Sequence, residues 1–302
     1  RGSIYRLYPQ AVPNAPVIDA ANCIQIQTGD CGICAQSCAP GAIDYSQKPE
    51  EVTLKVGSAI LATGFQPYEP PPDNLYGYGR YPNVYTSLEF ERILSPGGPL
   101  QGHVQRRSDG KEPKKIAWIH CVGSRGHREG YHEYCSSVCC MIALKQAIIA
   151  REHIGPDLDM ALFYMDMRTV RKDFEKYCTR IKDQGARLIR SRVHSVKPAN
   201  TSGDLLVRYV TETGEVVEEV FEALVLSTGL VNPPETVELA KRLKVDLSPN
   251  KFMNTQCFKP VTTSRPGIYS CGVFNGPRDI PQSVMEGSGA AAAASQSLAA
   301  AR

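Results

Sequence analysis

The sequence lacks the features of a membrane protein, a secreted protein or a nucleic-acid-binding protein. It contains no apolar run of about eighteen residues and no signal-like start, so neither a membrane span nor export is predicted. The formal charge of +3 is too small to indicate a nucleic-acid partner. With 42% hydrophobic and 22% charged residues, the 302-residue chain has an ordinary globular composition. We therefore expect a cytoplasmic protein of two or three domains.

The sequence also lacks a glycine-rich phosphate loop where its pattern would place one. The run 114–120 (KKIAWIH) predicts a buried strand and the run 136–152 (SSVCCMIALKQAIIARE) predicts an apolar helix, with a turn between them. Gly123, Gly126 and Gly130 in that turn do not have the spacing that cradles a pyrophosphate. Four cysteines stand there instead, namely Cys121, Cys135, Cys139 and Cys140. The turn therefore predicts a metal centre in place of a nucleotide site.

Four thiolates so close in sequence can hold either a [4Fe-4S] cluster or a tetrahedral zinc ion. The adjacent pair Cys139–Cys140 favours the cluster, because neighbouring residues reach the separate corners of a cubane more easily. Unliganded core thiols are the third alternative. His120, His127 and His132 lie close by and could replace a thiolate, but the favoured interpretation is a solvated loop histidine at each position.

A second cysteine set near the start of the chain ends in the C-x2-C-x3-C pattern of a bacterial ferredoxin half. Its members are Cys23, Cys31, Cys34 and Cys38. Seven residues separate the first two where ferredoxins have two, and Ala39 displaces the proline that normally follows the last cysteine. Either all four hold one cluster, or the chain begins halfway through a two-cluster module. The start at Arg1 without a methionine favours the second arrangement, in which three cysteines need a fourth thiolate and Cys38 serves another cluster.

The eleven cysteines are grouped at ligand spacings, which indicates a reducing compartment. Disulfide bonds would suit a secreted protein, but the spacings favour metal ligation. Cys178, Cys257 and Cys271 stand alone and are interpreted as small core residues.

The strand pattern predicts an open α/β sheet whose ligands collect at the carboxyl ends of strands. A run at 51–63 ends in Ala62-Thr63-Gly64, and a run at 221–229 ends in Ser227-Thr228-Gly229. A short strand at 267–272 precedes an alanine-rich helix at 284–300. Between the two T-G endings, the order of elements predicts a nucleotide-binding βαβ unit, with strands at 158–165 and 186–189, a helix at 170–184 and a hairpin at 195–210 and 215–221. The stretch 67–110 is interpreted as a linker around a short helix at 88–94.

Longer motifs resemble the A subunit of heterodisulfide reductase, a family of iron–sulfur flavoproteins. They are CVGSR at 121–125, YCSSVCCMIALKQA at 134–147, NCIQIQTGDCGICAQSCAPGAIDY at 22–45, PEEV at 49–52 and GPRDIPQSV at 276–284. The resemblance covers essentially the whole chain. The family's first ferredoxin-type cysteine run and its G-x-G-x-x-G motif for FAD do not occur in this sequence, so the chain resembles the C-terminal portion of such a protein.

The resemblance implies an α/β protein with a partial thioredoxin-reductase-like FAD domain, an inserted ferredoxin-like module and a Rossmann-like second domain that carries an iron–sulfur cluster. Residues 1–46 would form half of the ferredoxin-like module. Residues 47–112 and 222–302 would form the FAD domain, and residues 113–221 would form the Rossmann-like unit with a cluster loop in place of its nucleotide loop. The implied cofactors are FAD and [4Fe-4S] clusters. The eight grouped cysteines are the implied ligands of the clusters.

The FAD is expected at strand ends and at the start of the C-terminal helix. The predicted cofactor-binding residues are Ala62, Thr63, Gly64, Thr228, Gly229, Gly272, Val273, Asp279, Ile280, Pro281 and Ser283. Free N–H groups of that helix would face the flavin pyrimidine, where negative charge accumulates on reduction. Lys145 stands in an otherwise apolar helix and is the predicted catalytic cation beside flavin N5, with a solvent-exposed lysine as the alternative.

The resemblance implies an electron-transfer role in anaerobic, methanogenic metabolism. FAD would take electron pairs from a hydrogenase- or formate-dehydrogenase-type module and divide them between ferredoxin and a disulfide-reducing subunit. The implied partners are other heterodisulfide-reductase-type subunits, a polypeptide with the missing FAD-binding half, and a second copy of the flavoprotein. One alternative is a quinone-linked or sulfur-metabolising relative. Another is a non-catalytic scaffold that a metal staples together.

Overall fold

The computed structural model describes residues 2–6, 11–12, 14–48 and 50–300. The chain divides into two compact units, 1–55 and 56–302. The residues outside this description are 1, 7–10, 13, 49 and 301–302. They include Pro49 of the PEEV motif, the first residue of the predicted 1–46 range and the last two residues of the predicted 222–302 range.

The first unit consists of short elements with little core of its own. Strands β1 (Ile4–Tyr5) and β2 (Val17–Ile18) pair antiparallel and are followed by helices α1 (Ile24–Thr28) and α2 (Ile33–Gln36). Among its described side chains, Cys23 is the one that is buried. A segment this small usually needs a ligand or a partner to hold it, because it cannot bury enough apolar surface.

The second unit contains the remaining regular elements. In chain order its strands are β3 (Ala59–Leu61), β4 (Gln66–Pro67), β5 (Val84–Thr86), β6 (Lys115–Val122), β7 (Asp159–Tyr164), β8 (Arg187–Arg190), β9 (Ser195–Pro198), β10 (Leu205–Val210), β11 (Val216–Phe221), β12 (Ala223–Thr228), β13 (Leu230–Val231) and β14 (Ile268–Ser270). Its helices are α3 (Ser87–Leu94), α4 (Cys139–Ile154), α5 (Glu175–Asp183), α6 (Pro234–Leu243) and α7 (Ile280–Ala300). Of the helices that the structure describes, none is both long enough and apolar enough to cross a bilayer.

A five-stranded parallel sheet forms the centre of this unit, in the order β5-β12-β6-β7-β8. Its strands are apolar on both faces, as expected for a parallel sheet covered on both sides. On one face Trp118 packs among α3, α4 and α5 side chains. On the other, Phe163 and its neighbours contact the antiparallel sheet β9-β10-β11. The carboxyl ends of the parallel strands therefore share one edge, where a ligand site is expected.

The sheet draws strands from all three ranges of the predicted second and FAD domains. β5 lies within 47–112 and β12 within 222–302, yet both pair in the same sheet as β6. Two antiparallel segments, β4 and β13, then lead away from this sheet. They connect it to a smaller part, in which β3 pairs parallel with β14 and α6 and α7 complete the packing.

Several predicted elements are confirmed with shifted boundaries. The strand predicted at 114–120 is β6. The helix predicted at 88–94 is α3, whose start is stabilised by a reciprocal capping box between Thr86 and Glu89. The helix predicted at 136–152 begins at Cys139, because Ser137 has a left-handed φ of 62° and holds the preceding residues in the loop. Helix α7 begins at Ile280 instead of 284, since the Asp279 carboxylate accepts the Gln282 N–H at 2.9 Å.

Two predicted elements are largely wrong at their starts. The strand predicted at 51–63 is reduced to β3, and Val52, Leu54 and Val56 are exposed. The alternating pattern there resembled a strand, but none of the described strands pairs with residues 51–58. The helix predicted at 170–184 begins at Glu175, because Asp173 has a φ of 66° that interrupts the helix.

Candidate metal centre and cofactor-binding edge

A bulge near the end of β6 changes the local backbone conformation at Cys121. The register between β12 and β6 shifts between Leu226 and Thr228, so that β6 carries an extra residue there. Cys121 itself has a φ of 60°, a left-handed conformation that non-glycine residues seldom adopt. Such bulges redirect a side chain away from its regular position. The strand end is therefore shaped around this cysteine.

The loop after β6 is held in place by its own backbone. The His132 N–H donates to the Gly123 carbonyl at 3.0 Å, and the Arg125 N–H donates to the Tyr134 carbonyl at 3.2 Å. The Tyr134 hydroxyl donates to the Leu230 carbonyl of β13 at 2.9 Å. These bonds fix the position of Cys135, which follows Tyr134 directly.

Three of the four cysteines form a buried cluster. Cys139 and Cys140 are the first two residues of α4, and their side chains pack with Cys121 beneath Met165 and Met167. Cys135 is half-buried at the rim of this cluster. The structure thus brings together the four cysteines that the sequence singled out, from one strand end, one loop and one helix start.

Hydrogen bonds among the three buried thiols separate their pKa values. Those from Cys121 and Cys140 bring the pKa of Cys139 well below its ordinary value. The same bonds, together with burial, raise the pKa of Cys121 and of Cys140. These hydrogen bonds favour the thiolate form at Cys139 over Cys121 and Cys140. Because metals bind thiolates, ligation requires the protons of the other two thiols to leave.

The donor set fits a thiolate-held iron–sulfur cluster by its chemistry. Three thiols are buried together and Cys135 is adjacent, which supplies the four sulfur ligands that such a cluster takes. Both ring nitrogens of His120, beside Cys139, are buried with no hydrogen-bond partner among the described residues. Within the described ranges, no three His, Cys, Asp or Glu side chains are placed to hold one metal ion as they stand. Ligation therefore requires the thiols to turn from one another towards a common centre.

The charged residues around the thiols were missed by sequence reasoning. Asp166, just after β7, accepts hydrogen bonds from Arg168 Nε at 2.9 Å and from Arg125. Burial alone would raise the pKa of Asp166, but these two guanidinium groups bring it below its ordinary value. Arg125 stands in the CVGSR motif and Arg168 follows a strand end, and those positions at the sheet edge are the signals that could have identified them.

The predictions for the neighbouring histidines are mixed. His127 is exposed, as predicted for a loop histidine, and His132 is partly buried. His120 is buried inside β6, so its prediction as a solvated loop residue was wrong. The run KKIAWIH was predicted as a strand, and a buried strand leaves no room for a solvated ring at its end. Among the isolated cysteines, Cys178 and Cys271 are buried as predicted, whereas Cys257 is exposed.

In the first unit, three of the four cysteines lie around one tyrosine. Burial, and then Cys34, Cys23 and Cys31 in its surroundings, raise the pKa of Tyr45. Cys31 and Cys34 are exposed, and Cys38 is partly exposed. The assignment of these cysteines as cluster ligands stays a prediction.

Part of the predicted FAD site lies at one edge of the small sheet. Leu61 pairs with Ser270, so Ala62–Gly64 and Gly272–Val273 leave their strands side by side. The Thr63 hydroxyl is buried without a hydrogen-bond partner among the described residues. Gly64 and Gly272 have φ values of 75° and 70°, which favour glycine. A buried unpaired hydroxyl beside open backbone suits a polar ligand.

The start of α7 offers fewer free N–H groups than predicted. Asp279 caps the helix through Gln282, and Pro281 has no N–H group to donate. The second carboxylate oxygen of Asp279 accepts from Arg171 Nε at 3.0 Å. Ser283 lies beside Gly272, whereas the Ile280 side chain is exposed. A carboxylate of the protein thus already occupies the positive end of the helix dipole.

Glu286 on α7 is a further residue that sequence reasoning missed. This buried carboxylate accepts the Gly272 N–H at 2.9 Å and Arg278 Nε at 2.6 Å. It also accepts Asn275 Nδ2 at 3.1 Å. The turn that contains Gly272 and Val273 is therefore held by a charged group from the helix behind it.

The remaining predicted residues lie elsewhere. Thr228 is the last residue of β12, and Gly229 follows it next to the cysteine loop, where the Gly229 N–H donates to the Val122 carbonyl at 2.9 Å. Lys145 is half exposed on α4, and its Nζ lies 2.6 Å from the Glu91 carboxylate of α3. The predicted role of Lys145 beside a flavin stays a prediction.

Gly123 is the position in the cysteine loop where a side chain would be most disruptive. A Cβ there would overlap the Tyr68 ring, and its φ is 77°. We expect Gly123→Ala to lower the free energy of unfolding by about 1–3 kcal/mol more than Gly214→Ala, because the ring must also move. Gly214 is the matched control, since its φ is 88° and no atom lies within 4 Å of its Cβ position. Urea unfolding followed by circular dichroism measures both, and equal losses would contradict the clash.

Tyr76 should make the fold sensitive to alkaline pH. Burial raises its pKa to about 12, with Tyr131 and Arg192 as its polar neighbours. Because the pKa of Tyr76 is raised in the folded state, the contribution of its neutral side chain to the free energy of unfolding is intact below about pH 10. That contribution is lost as the pH rises towards about 12. The loss should be on the order of 2–3 kcal/mol. We expect the free energy of unfolding of Tyr76→Phe to fall less across this pH window than that of the wild type or of Tyr177→Phe. Parallel profiles of the free energy of unfolding against pH for the three proteins would contradict this.

The fold is similar to that of a solved thioredoxin reductase. The thioredoxin reductase of T. acidophilum matches with a TM-score of 0.50 and 17% identity, over 80% of this chain and 66% of that one. This likeness shows a thioredoxin-reductase-like fold of mixed α/β content, which confirms that part of the predicted fold class. The inserted ferredoxin-like module and the Rossmann-like second domain stay predictions.

Curated relatives match along almost the whole chain, although no protein-family profile does. The chain is 43% identical over 303 residues to the iron-sulfur A subunit of CoB–CoM heterodisulfide reductase from Methanocaldococcus jannaschii, covering 99% of this chain and 45% of the relative. It is 40% identical over 296 residues to the A subunit of H2:CoB-CoM heterodisulfide,ferredoxin reductase from Methanothermobacter thermautotrophicus, covering 97% and 44%. The chain spans less than half the length of these relatives. It is a homologue, along nearly its whole length, of part of the heterodisulfide reductase A subunit, the iron–sulfur component of an oxidoreductase.

Proposed function

We propose that this chain transfers electrons through FAD and [4Fe-4S] clusters within a cytoplasmic, heterodisulfide-reductase-type complex. The observation that carries the proposal is the buried group of Cys121, Cys139 and Cys140, with Cys135 at its rim, on a thioredoxin-reductase-like fold. Buried thiols at a strand end and a helix start, where nucleotide-binding units hold phosphate, suit a redox group better than a nucleotide.

When bound, the flavin exchanges one or two electrons and each cluster exchanges one. The four cysteines of the buried group would hold one cluster, and Cys23, Cys31, Cys34 and Cys38 would serve the ferredoxin-like segment. The flavin would be held at the edge formed by the residues after β3 and β14 and the start of α7. There the Thr63 hydroxyl can donate to it, and Glu286 keeps the Gly272 turn in place. Lys145 would supply a cation, once released from Glu91.

We further propose that the complex divides electron pairs between ferredoxin and a disulfide acceptor. The name of the M. thermautotrophicus relative combines H2, a heterodisulfide and ferredoxin, which supports this arrangement. The partners would then include ferredoxin, a hydrogenase- or formate-dehydrogenase-type donor and a disulfide-reducing subunit. The FAD-binding half would come from a further polypeptide segment, and the flavoprotein would form a homodimer.

Metal and flavin analysis of the native assembly, purified without oxygen, tests the proposal. About four to eight irons, matching acid-labile sulfide and one FAD per copy of this chain would support it. Zinc without iron or flavin would overturn it and would leave a scaffold stapled by a structural metal.

A further inference from the structure

Two arginines and one aspartate form a charged triad beside the cysteine group. We use the term charged triad for Arg125, Asp166 and Arg168. Asp166 bridges the two guanidinium groups, with one carboxylate oxygen towards each. Because two cations meet one anion, the triad leaves a net positive charge next to the thiols.

Each arginine of the charged triad also interacts with a cysteine. The Cys140 thiol lies beside the segment that carries the triad, with its sulfur 3.9 Å from the Asp166 carbonyl oxygen and the Arg168 backbone N–H nearby, and the Arg168 guanidinium group interacts electrostatically with Cys135. Arg125 lies close enough to Cys121 for the two charges to interact. Arg125 is the least exposed member of the triad, with 22% of its side chain accessible. Its charge is therefore screened less by water than that of an ordinary surface arginine.

The Met165 and Met167 side chains cover the same thiols, which limits the access of water. The segment 165–168 therefore presents apolar side chains, a backbone donor and a guanidinium group to one sulfur group. Hydrogen bonds to sulfur, nearby charge and solvent exclusion are the protein's means of setting the potential of a cluster.

The sign of each effect follows from charge. A cluster held by four thiolates is anionic, and taking up one electron makes it more so. Cations and N–H donors stabilise the reduced form more than the oxidised form, which raises the reduction potential, and an added anion lowers it.

We propose that the charged triad sets the reduction potential of a [4Fe-4S] cluster held by Cys121, Cys135, Cys139 and Cys140. Arg125 and Arg168 raise this potential, and Asp166 moderates it. This inference rests on the proposed function, since it requires a cluster at this group. The triad residues are positioning residues in this account, because they act on the cluster through its ligands and their surroundings.

Anaerobic redox titration of the native assembly tests the triad. Dithionite supplies the single electron that the cluster takes up, and electron paramagnetic resonance follows the reduced cluster. The signal of this cluster is identified as the one that Cys139→Ser removes. Iron content is measured in every variant.

The expected shifts have opposite signs. Arg168→Gln should lower the midpoint potential, whereas Asp166→Asn should raise it, because it leaves two uncompensated guanidinium groups. Arg168→Lys should restore most of the wild-type potential, since the charge returns. Arg180→Gln is the matched control, because Arg180 pairs with Glu152 on the surface at 2.6 Å, and it should leave the potential unchanged.

A residue that merely holds the loop would not produce shifts of opposite sign. If Arg168→Gln and Asp166→Asn retain iron and both leave the potential unchanged, or shift it in the same direction, the inference is wrong and the proposed function stands. If Arg168→Gln loses its cluster, the midpoint potential of Asp166→Asn decides. A rise in that potential supports the inference about the triad, and no change or a fall overturns it. Absence of iron from the wild-type assembly would overturn the proposed function and the inference together.

Discussion

Replacing Cys139 with serine should remove about four irons per chain from the native assembly. Cys139 is 2% exposed, begins α4 and receives hydrogen bonds from two neighbouring thiols. A serine hydroxyl is far less acidic than this thiol, so the central ligand of the group would be lost. Iron and sulfide analysis after anaerobic purification measures the effect.

Cys178→Ser is the matched control for this loss. Cys178 is equally buried but belongs to the apolar core around Trp118. We expect this variant to keep its full iron content while losing some stability, because it places a hydroxyl in an apolar environment. Full iron retention in Cys139→Ser, or equal iron loss in both variants, would exclude the cysteine group as the cluster site.

Trp118→Ala should lower the free energy of unfolding by about 3–5 kcal/mol. Trp118 is fully buried in β6, and its ring meets Phe90 of α3 edge-on at a centroid distance of 5.8 Å. Its Nε1 has no hydrogen-bond partner among the described residues, so the loss should come from packing alone. The cavity would open where α3 and α4 meet the sheet.

Trp118→Phe separates packing from ring chemistry, because it keeps an aromatic ring and leaves a smaller cavity. We expect its loss to be well below that of Trp118→Ala. Since Trp118 is the single tryptophan of the chain, unfolding must be followed by circular dichroism instead of tryptophan fluorescence. A Trp118→Ala variant within about 1 kcal/mol of wild type would contradict the packing argument.

The main elements around the cysteines could be predicted from sequence because their patterns are unambiguous. A continuous apolar run predicted β6, and a long apolar run predicted α4. The exact start of α4 could not be predicted, because the left-handed conformation of Ser137 depends on the loop around it. The three-residue strand β5 was missed since so short a buried run, within a segment rich in proline and glycine, carries no clear periodicity.

The cysteine ligands were identifiable because their spacing is a local property of the chain. The residues that surround those ligands could not be identified from the spacing. Asp166 and Arg168 reach the group only because β7 lies next to β6, which is a tertiary pairing that spacing does not encode. The same reason applies to Glu286, whose partners at Gly272 and Asn275 are separated from it by a turn.

The strand order has a consequence for synthesis on the ribosome. β12 lies between β5 and β6, yet it is made after β6, β7 and β8 have all emerged. Until then the facing edges of β5 and β6 have no neighbour in this sheet, and unpaired apolar edges are prone to aggregation. The central sheet can close only once residues 223–228 are available. Translation that pauses before this point would leave a nascent chain dependent on chaperones.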